Sequence, residues 1–307
     1  MRAITYSRYG GPDVLELTED HPMPLVGPDS VLIRVRAAAV NPVDWKAREG
    51  YLDSFVAAHF PVVPGWDVAG VVERLGLDTP DYAVGDEVYG YVRTDVISGG
   101  TFAEYVAAPV RTLAPKPTAL TWEEAAGVPL AGLTALQLIR RTAVGPGRSV
   151  LVHAAAGGVG AFAVQIALAR GARVIGTASP ANHDFLRSLG AEPVAYGDGL
   201  VERVRALAPE GVDVILDLVG GTLDDTPALL RTGGTIGSIT DAAARDTYGG
   251  QYVWARPDTT DLRELAELAD SGALRVEVAR VYPLEEAAAA LVENQRGHTR
   301  GKLVIRV

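Results

Sequence analysis

The chain has 307 residues and no cysteine, which excludes disulfides, thiol nucleophiles and cysteine-ligated zinc. Its formal net charge of −10 argues against general nucleic-acid affinity, because phosphate backbones are bound by concentrated basic surfaces. Hydrophobic residues make up 48% of the chain, enough for a large core and two domains. The apolar runs are short and broken, and the N-terminus lacks a basic region followed by an apolar one. We therefore expect no membrane span, no signal peptide and a cytoplasmic location.

The chain to about Lys116 is predicted to form a β-rich domain, a twisted partial barrel. Proline and glycine punctuate nearly every gap between its short strands. These strands are predicted at 2–6, 14–17, 30–39, 66–75, 87–91 and 102–107. Thr121, followed three residues later by Glu124, forms a capping box, and a helix is predicted at Pro129–Arg141. From this point the pattern is α/β.

Residues 148–183 have the order strand, glycine turn, helix, strand, and the rest of the chain is organised around them. A short apolar run at 149–153 leads directly into the turn Ala154-Ala155-Ala156-Gly157-Gly158-Val159-Gly160. Glycines let backbone N–H groups approach an anion, and the following helix directs the positive end of its dipole to the same place. We interpret the segment as a βαβ nucleotide site with Ala154 at the usual first glycine; the alternative is an ordinary tight turn.

Further α/β units continue beyond the glycine turn. Strands are predicted at 193–195, 212–218, 235–239 and 251–255, with helices at 184–189 and 200–208 between them. Six strands with intervening helices predict a Rossmann-type doubly wound parallel sheet. The last part, with helices at 261–270 and from Pro283 and strands at 276–281 and 302–307, is expected to rejoin the first domain.

In its ordered set of motifs, nearly the whole chain resembles the zinc-independent quinone oxidoreductases, the ζ-crystallin-like branch of the medium-chain dehydrogenase/reductase superfamily. The matching stretches are AAAVNPVDWK at 37–46, PGWDVAG at 64–70, GDEV at 85–88, GTFAEY at 100–105 and the loop at 154–160. The resemblance implies an α/β fold with a GroES-like β-rich catalytic domain, at 1–121 and 256–307, and a Rossmann doubly wound parallel sheet at 122–255. It also implies NADPH as the cofactor and an active site in a cleft.

Zinc-dependent relatives carry a cysteine where this chain has Asn41, and a His-Glu pair where it has Trp66-Asp67. Together with the absence of cysteine, these replacements predict that no tetrahedral zinc site with N/S ligands is assembled. The five histidines are scattered without ligand spacing. We therefore expect no metal.

The cofactor preference is predicted from the end of the second βαβ strand. An NAD site usually places an acid about twenty residues beyond the glycine loop, whereas this chain has Thr177-Ala178-Ser179 there. A hydroxyl accommodates a 2′-phosphate that a carboxylate would repel, which favours NADPH. His183 stands where the family often has lysine. With the positions that the resemblance implies, the candidate cofactor residues are Thr134, Ala156, Gly157, Gly158, Val159, Gly160, Thr177, Ser179, His183, Tyr196, Val219, Ser238, Ile239 and Val253.

The resemblance also places Asn41, Tyr51 and Lys46 at the substrate site, as candidate catalytic residues. An amide at position 41 can orient the nicotinamide ribose or a substrate oxygen, although asparagine before Pro42 is also a common turn residue. The alternative to a substrate-facing role for Tyr51 is that it is a half-buried aromatic residue at a domain edge. The alternative for Lys46 is an ion pair with Asp44 or Glu49 at the protein surface.

The leading hypothesis is NADPH-dependent hydride transfer to a small quinone or to the C=C bond of an α,β-unsaturated carbonyl compound. One alternative is a nucleotide-binding sensor or structural protein without turnover, since fold alone does not establish chemistry. Another is a pathway-specific enoyl reductase. We further predict a homodimer, because Tyr252-Val253-Trp254 is expected on an apolar edge strand of the Rossmann sheet.

Overall fold

The computed structural model describes residues 1–307. Its strands are, in chain order, β1 Ala3–Thr5, β2 Glu16–Thr18, β3 Ser30–Val40, β4 Ala57–Ala58, β5 Asp67–Leu75, β6 Glu87–Tyr91, β7 Val96–Ile97, β8 Tyr105–Pro109, β9 Leu113–Pro115, β10 Ser149–Val152, β11 Arg173–Ala178, β12 Glu192–Ala195, β13 Val212–Asp217, β14 Leu230–Ser238, β15 Gln251–Tyr252, β16 Val278–Pro283 and β17 Lys302–Arg306. The α-helices are α1 Pro42–Arg48, α2 Trp122–Gly127, α3 Pro129–Arg141, α4 Gly158–Ala169, α5 His183–Leu189, α6 Leu200–Leu207, α7 Thr226–Leu229, α8 Ala243–Asp246, α9 Thr259–Asp270 and α10 Ala287–Arg296.

The chain folds into two compact units. Unit 1 comprises Met1–Leu130 and Pro257–Val307, and unit 2 comprises Ala131–Arg256. The sequence-based boundary at 121/122 assigned α2 to the Rossmann domain, whereas the structure includes it in unit 1, where it packs on β3 and β5. The capping box is present as predicted, since the Thr121 hydroxyl accepts from Glu124 N and Glu124 accepts from Thr121 N.

Unit 1 is built on a seven-stranded sheet in the order β16-β17-β3-β5-β6-β9, with β8 also paired to β3. The long strand β3 is antiparallel to both β5 and β17, so the last strand of the chain pairs with one of its first. Phe102, Leu113 and Ile33 belong to the buried cluster beneath this sheet. The final strand of the chain therefore belongs to the sheet of unit 1.

Unit 2 is a six-stranded parallel sheet in the order β12-β11-β10-β13-β14-β15. This is the doubly wound order in which the first and fourth strands lie side by side, and ligands of such sheets bind beyond the carboxyl ends at that switch point. Leu151, Ile215 and Ile236 pack in its core. The predicted Rossmann fold is confirmed.

Several local expectations differ from the structure. Helix α1 was not predicted, and the strand expected at 102–107 lies at Tyr105–Pro109. The strand expected at 251–255 is only the two residues of β15, although it does form the edge of the sheet. Every helix of the chain falls short of the length and apolar character needed to cross a membrane.

Candidate functional site

The glycine loop in unit 2 connects β10 to α4 at the switch point of the sheet. Ala154 adopts a left-handed backbone with φ of 53°, a conformation that glycine adopts with less strain. A Cβ on Gly160 would lie 2.2 Å from Ala154 O and 2.7 Å from Ala155 Cα. Only glycine at position 160 therefore allows α4 to pack this closely on the turn, the role of the third glycine in dinucleotide folds.

The loop is held from the neighbouring strand β11. Thr177 is buried, its hydroxyl accepts from Ala154 N at 3.1 Å, and its carbonyl accepts from Ala155 N at 2.9 Å. The structure thus uses this predicted cofactor residue to shape the loop. The N–H groups of Gly158, Val159 and Gly160 lie in the first turn of α4 and have no acceptor within the helix, so they remain for an anion.

The carboxyl end of β11 carries the residues that were assigned to the 2′-position of the cofactor. Ser179 is half-buried, and its hydroxyl accepts from Asn182 Nδ2 at 3.2 Å. His183 begins α5, and its Nε2 is buried without a hydrogen-bond partner. Tyr196 follows β12 and is 57% exposed. A hydroxyl and an imidazole follow β11, and the first carboxylate after the strand is Asp184, whose Oδ1 accepts from Arg187 at 2.6 Å.

The remaining predicted cofactor residues of unit 2 differ widely in exposure. Val219, after β13, is 56% exposed, and Ile239, after β14, is half-buried. Thr134, Ala156, Ser238 and Val253 are buried. Ser238 is fully engaged within the protein, because its hydroxyl donates to Asp217 Oδ2 at 2.6 Å and accepts from two backbone N–H groups. Its side chain therefore serves the structure of the loop after β14.

Unit 2 has the features that a nicotinamide dinucleotide requires. Gly157 precedes α4 with an extended backbone and no side chain over the helix start, where a pyrophosphate binds in this fold. The first-turn N–H groups supply donors, and the chain after β11 supplies a hydroxyl for the ribose. The residues present therefore fit the group.

In unit 1, Asn41 lies at the centre of a buried polar cluster, which we call the Lys302 cluster and define as Asn41, Asp44, Asp67 and Lys302. All four side chains are buried, with Asn41 3% and Asp67 0% exposed. Lys302 Nζ donates to Asn41 Oδ1 at 2.6 Å and to Val40 O at 3.0 Å, and Asn41 Nδ2 donates to Asp67 Oδ2 at 2.8 Å. Both ends of the Asn41 amide are thus engaged inside unit 1.

The two aspartates of the Lys302 cluster each also accept a hydrogen bond from a backbone N–H group. Asp44 Oδ2 accepts from Asn41 N at 2.7 Å at the start of α1, and Asp67 Oδ1 accepts from Leu130 N at 2.8 Å in the first turn of α3. The network was not foreseen, because its members lie up to 261 residues apart in the sequence.

Burial dominates the ionisation of the Lys302 cluster. It raises the pKa of Asp44 to about 8; the Asn41 N–H and Lys302 oppose this shift, and Asp67 adds to it. Burial likewise raises the pKa of Asp67 to about 6 against the opposing effects of Lys302, Asn41 and Leu130. The pKa of Lys302 is lowered by burial, which both carboxylates counteract. One ammonium thus faces two carboxyl groups, of which Asp44 retains its proton more strongly.

Lys46 and Tyr51 lie at the surface of unit 1 beside Trp45. The Lys46 Nζ is 5.6 Å from the centroid of the Trp45 ring, and the Tyr51 ring meets the indole edge-on at 6.2 Å. Tyr51 is 65% exposed and Lys46 is exposed as well. Helix α1 and the turn after it therefore bring two hydrogen-bond donors to one indole, while Asn41 lies buried beneath the start of the same helix.

A metal site is not apparent among the residues. Nowhere in residues 1–307 do three or more His, Asp or Glu side chains come together in a way that could hold a metal ion. At the positions equivalent to zinc ligands, Asn41 donates to Asp67 and accepts from the Lys302 ammonium.

Known proteins match both units. Residues 27–118 match the alcohol dehydrogenase GroES-like domain, and residues 189–305 match the family described as zinc-binding dehydrogenase. The NADPH-dependent alkenal/one oxidoreductase of Arabidopsis thaliana is 36% identical, over 99% of this chain and 79% of its own. The 2-methylene-furan-3-one reductase of Solanum lycopersicum is 33% identical over the same shares.

Solved structures agree with the sequence matches. The quinone oxidoreductase from Coxiella burnetii superimposes with a TM-score of 0.88 at 35% identity, covering 100% of this chain and 99% of that one. The Pseudomonas syringae pv. tomato quinone oxidoreductase gives 0.86 at 30% identity, with coverage of 100% and 99%. The chain belongs to the medium-chain dehydrogenase/reductase superfamily, within which it groups with quinone and alkenal/one oxidoreductases.

Proposed function

We propose that this protein is a zinc-independent, NADPH-dependent reductase of quinones or of the C=C bond of α,β-unsaturated carbonyl compounds. The observation that carries the proposal is the glycine loop, with its free first-turn N–H groups and with a hydroxyl rather than an acid at the end of β11. The substrate class is supported by relatives named for quinones, alkenals and a methylene-furanone.

When bound, the cofactor supplies a hydride, and the protein supplies position and hydrogen bonds to the oxygen on which charge develops. Unit 1 offers the Lys46 ammonium and the Tyr51 hydroxyl, both exposed beside Trp45. We assign the hydrogen bonds to the substrate oxygen to these two groups. Asn41 has its amide engaged with Lys302 and Asp67, so we assign it the role of holding the start of α1.

Zinc independence is supported by the Lys302 cluster. A cation is already present there as a side chain, with its N–H groups directed to Asn41 and Val40. Dialysis against a chelator should leave the reductase activity unchanged, and loss of activity that returns with zinc would contradict the proposal.

The decisive assay follows NADPH absorbance with matched sets of quinones, enones and saturated aldehydes. Oxidation with the first two sets and none with the third is the expected outcome. Absence of oxidation with every compound, despite tight NADPH binding, would favour the sensor alternative. Strong preference for one enone over all simple quinones would favour a pathway-specific enoyl reductase.

Preference for NADPH over NADH is tested at His183. We expect His183→Lys to tighten NADPH binding relative to NADH, because the lysine ammonium carries a full positive charge that attracts a 2′-phosphate. An unchanged ratio of the two dissociation constants would place position 183 outside the pocket.

We also propose a homodimer that pairs through the β15 edge of unit 2, where Trp254 is 40% exposed. Light scattering tests this, and a monomer would refute the dimer without touching the reductase proposal. The cytoplasmic location stays a prediction; the relatives include proteins named chloroplastic and mitochondrial.

A further inference from the structure

Asp217 is a buried carboxylate at the carboxyl end of β13, the strand beside the switch point of the unit 2 sheet. Its side chain is fully buried, and it was not among the residues expected at the site. Five uncharged donors converge on it. They are Val219 N at 3.3 Å, Gly220 N at 2.9 Å, Thr222 Oγ1 at 2.9 Å, Ser238 Oγ at 2.6 Å and Thr240 Oγ1 at 3.0 Å.

The two oxygens of Asp217 serve different loops. Oδ1 accepts every bond from residues 219–222, which follow its own strand β13. Oδ2 accepts both bonds from residues 238–240, at the end of the neighbouring strand β14. Ser238 extends the second set, because its hydroxyl also accepts from Thr240 N and Asp241 N. One carboxylate therefore ties two adjacent loops together.

The two loops that Asp217 ties together lie at the edge of the sheet where ligands of this fold bind. In a doubly wound sheet the ligand lies beyond the carboxyl ends of the strands at the switch point, here between β10 and β13. The glycine loop and β11 are on one side of that point. The loops tied by Asp217 are on the other side, and they carry the candidate residues Val219, Ser238 and Ile239.

The ionised form of Asp217 is the form that can hold both loops. Burial alone would raise the pKa of Asp217, but the bonds from Ser238, Gly220, Thr222 and Thr240 hold it below its ordinary value. A carboxylate presents acceptors on both oxygens, whereas an amide has one acceptor and one donor. Asparagine at position 217 would therefore satisfy one loop and repel the donors of the other.

We propose that Asp217 is a positioning residue for the nicotinamide half of NADPH, acting through loops 219–222 and 238–241 without touching the cofactor. This rests on the proposed function, since it presumes that unit 2 binds NADPH. The adenosine half is served by the glycine loop and the residues after β11, to which Asp217 makes no side-chain hydrogen bond. The two halves of the cofactor should thus respond differently to a change at Asp217.

The test compares Asp217→Asn with Asp213→Asn by calorimetric titration with NADPH and with adenosine 2′,5′-bisphosphate, which is the adenosine half alone. Asp213 is a matched control, because it is a buried aspartate at the opposite, amino end of the same strand β13 and bonds to Ser149, Arg148 and Arg231. We expect Asp217→Asn to weaken NADPH ~10-fold and the bisphosphate less than ~2-fold. Asp213→Asn should leave both dissociation constants within ~2-fold.

Two results would overturn the inference: unchanged NADPH affinity in Asp217→Asn, or an equal loss for both ligands in a folded variant. If Asp217→Asn does not fold, Thr222→Val and Thr240→Val decide the question, since each removes one donor from one loop. Each should weaken NADPH selectively, and the same two results in both would overturn the inference. Failure of the unaltered protein to bind NADPH would instead refute the proposed function.

Discussion

Replacement of Lys302 by methionine should destabilise unit 1 by about 3–5 kcal/mol, because it removes the only cation from the buried Lys302 cluster. Methionine matches the volume of the aliphatic stem and cannot donate to Asn41 Oδ1 or Val40 O. Asp67 then keeps its bonds to Asn41 and Leu130 but loses the opposing charge.

One part of this loss depends on pH, through the ionisation of Asp67. In the intact protein the carboxyl group of Asp67 has a pKa of about 6, and without Lys302 it becomes neutral by taking up a proton, at an added cost set by how far the ambient pH lies above that value. At pH 7 that added cost is about 1 kcal/mol, and at pH 5 it is close to zero because Asp67 is already protonated. The loss of stability should therefore shrink as the pH falls.

Urea unfolding followed by tryptophan fluorescence measures the effect. Trp45, Trp66 and Trp122 all lie in unit 1, so the signal reports mainly on that unit. Lys116→Met is the control, because Lys116 pairs with the exposed Glu87 and should cost only about 1 kcal/mol. The double variant Lys302→Met/Asp67→Asn should recover about 2 kcal/mol, since it removes the unpaired charge. A loss in Lys302→Met no larger than in the control, or equal at pH 5 and pH 7, would refute this reasoning.

Other substitutions test the glycine loop, the buried acid and the exposed donors. Gly160→Ala should abolish NADPH binding and lower the melting temperature, since its Cβ would meet backbone atoms at 2.2 Å, while Gly145→Ala, with open space around it, should do neither; normal binding by Gly160→Ala would contradict the packing argument. Asp44 has a pKa raised to about 8, so the stability it contributes is complete below pH 3.8 and is lost as the pH rises through 8. Asp44→Asn should flatten that decline by about 1 kcal/mol per pH unit in urea titrations, and parallel curves would show that Asp44 does not titrate there. Lys46→Met and Tyr51→Phe should each lower kcat at least ~10-fold with NADPH affinity unchanged, and full activity in both would remove them from the catalytic assignment.

Much of the fold was predictable because its signals are local. The strand, glycine turn, helix and strand at 148–183 follow from spacing alone, and Thr121 with Glu124 marks the start of α2 within four residues. Helix α1 was missed because it is only seven residues long and contains Pro42, Val43 and Trp45, none of which favours a helix interior.

The polar networks could not be predicted, because they depend on contacts between distant segments. Lys302 opens an apolar final strand, and nothing near it in the sequence indicates that its ammonium is buried against Asn41. Asp217 did leave a signal: it is an acid at the carboxyl end of an apolar strand, directly before a turn with Gly220 and Gly221. In a Rossmann sheet that position is at the ligand edge, so the acid could have been singled out.

The return of the chain to unit 1 has a consequence for biosynthesis. Unit 2 is one continuous segment, so all its strands are available once Arg256 has left the ribosome. Unit 1 is still incomplete at that stage, because β3 pairs with β17, the last strand to be translated. Until then, Asn41 and Asp67 are translated but the ammonium that donates to Asn41 is missing, and an edge of β3 stays open to other chains. Nascent unit 1 is therefore the part of this protein that most needs a chaperone, and shortening the chain before Lys302 should direct it to aggregates or proteolysis.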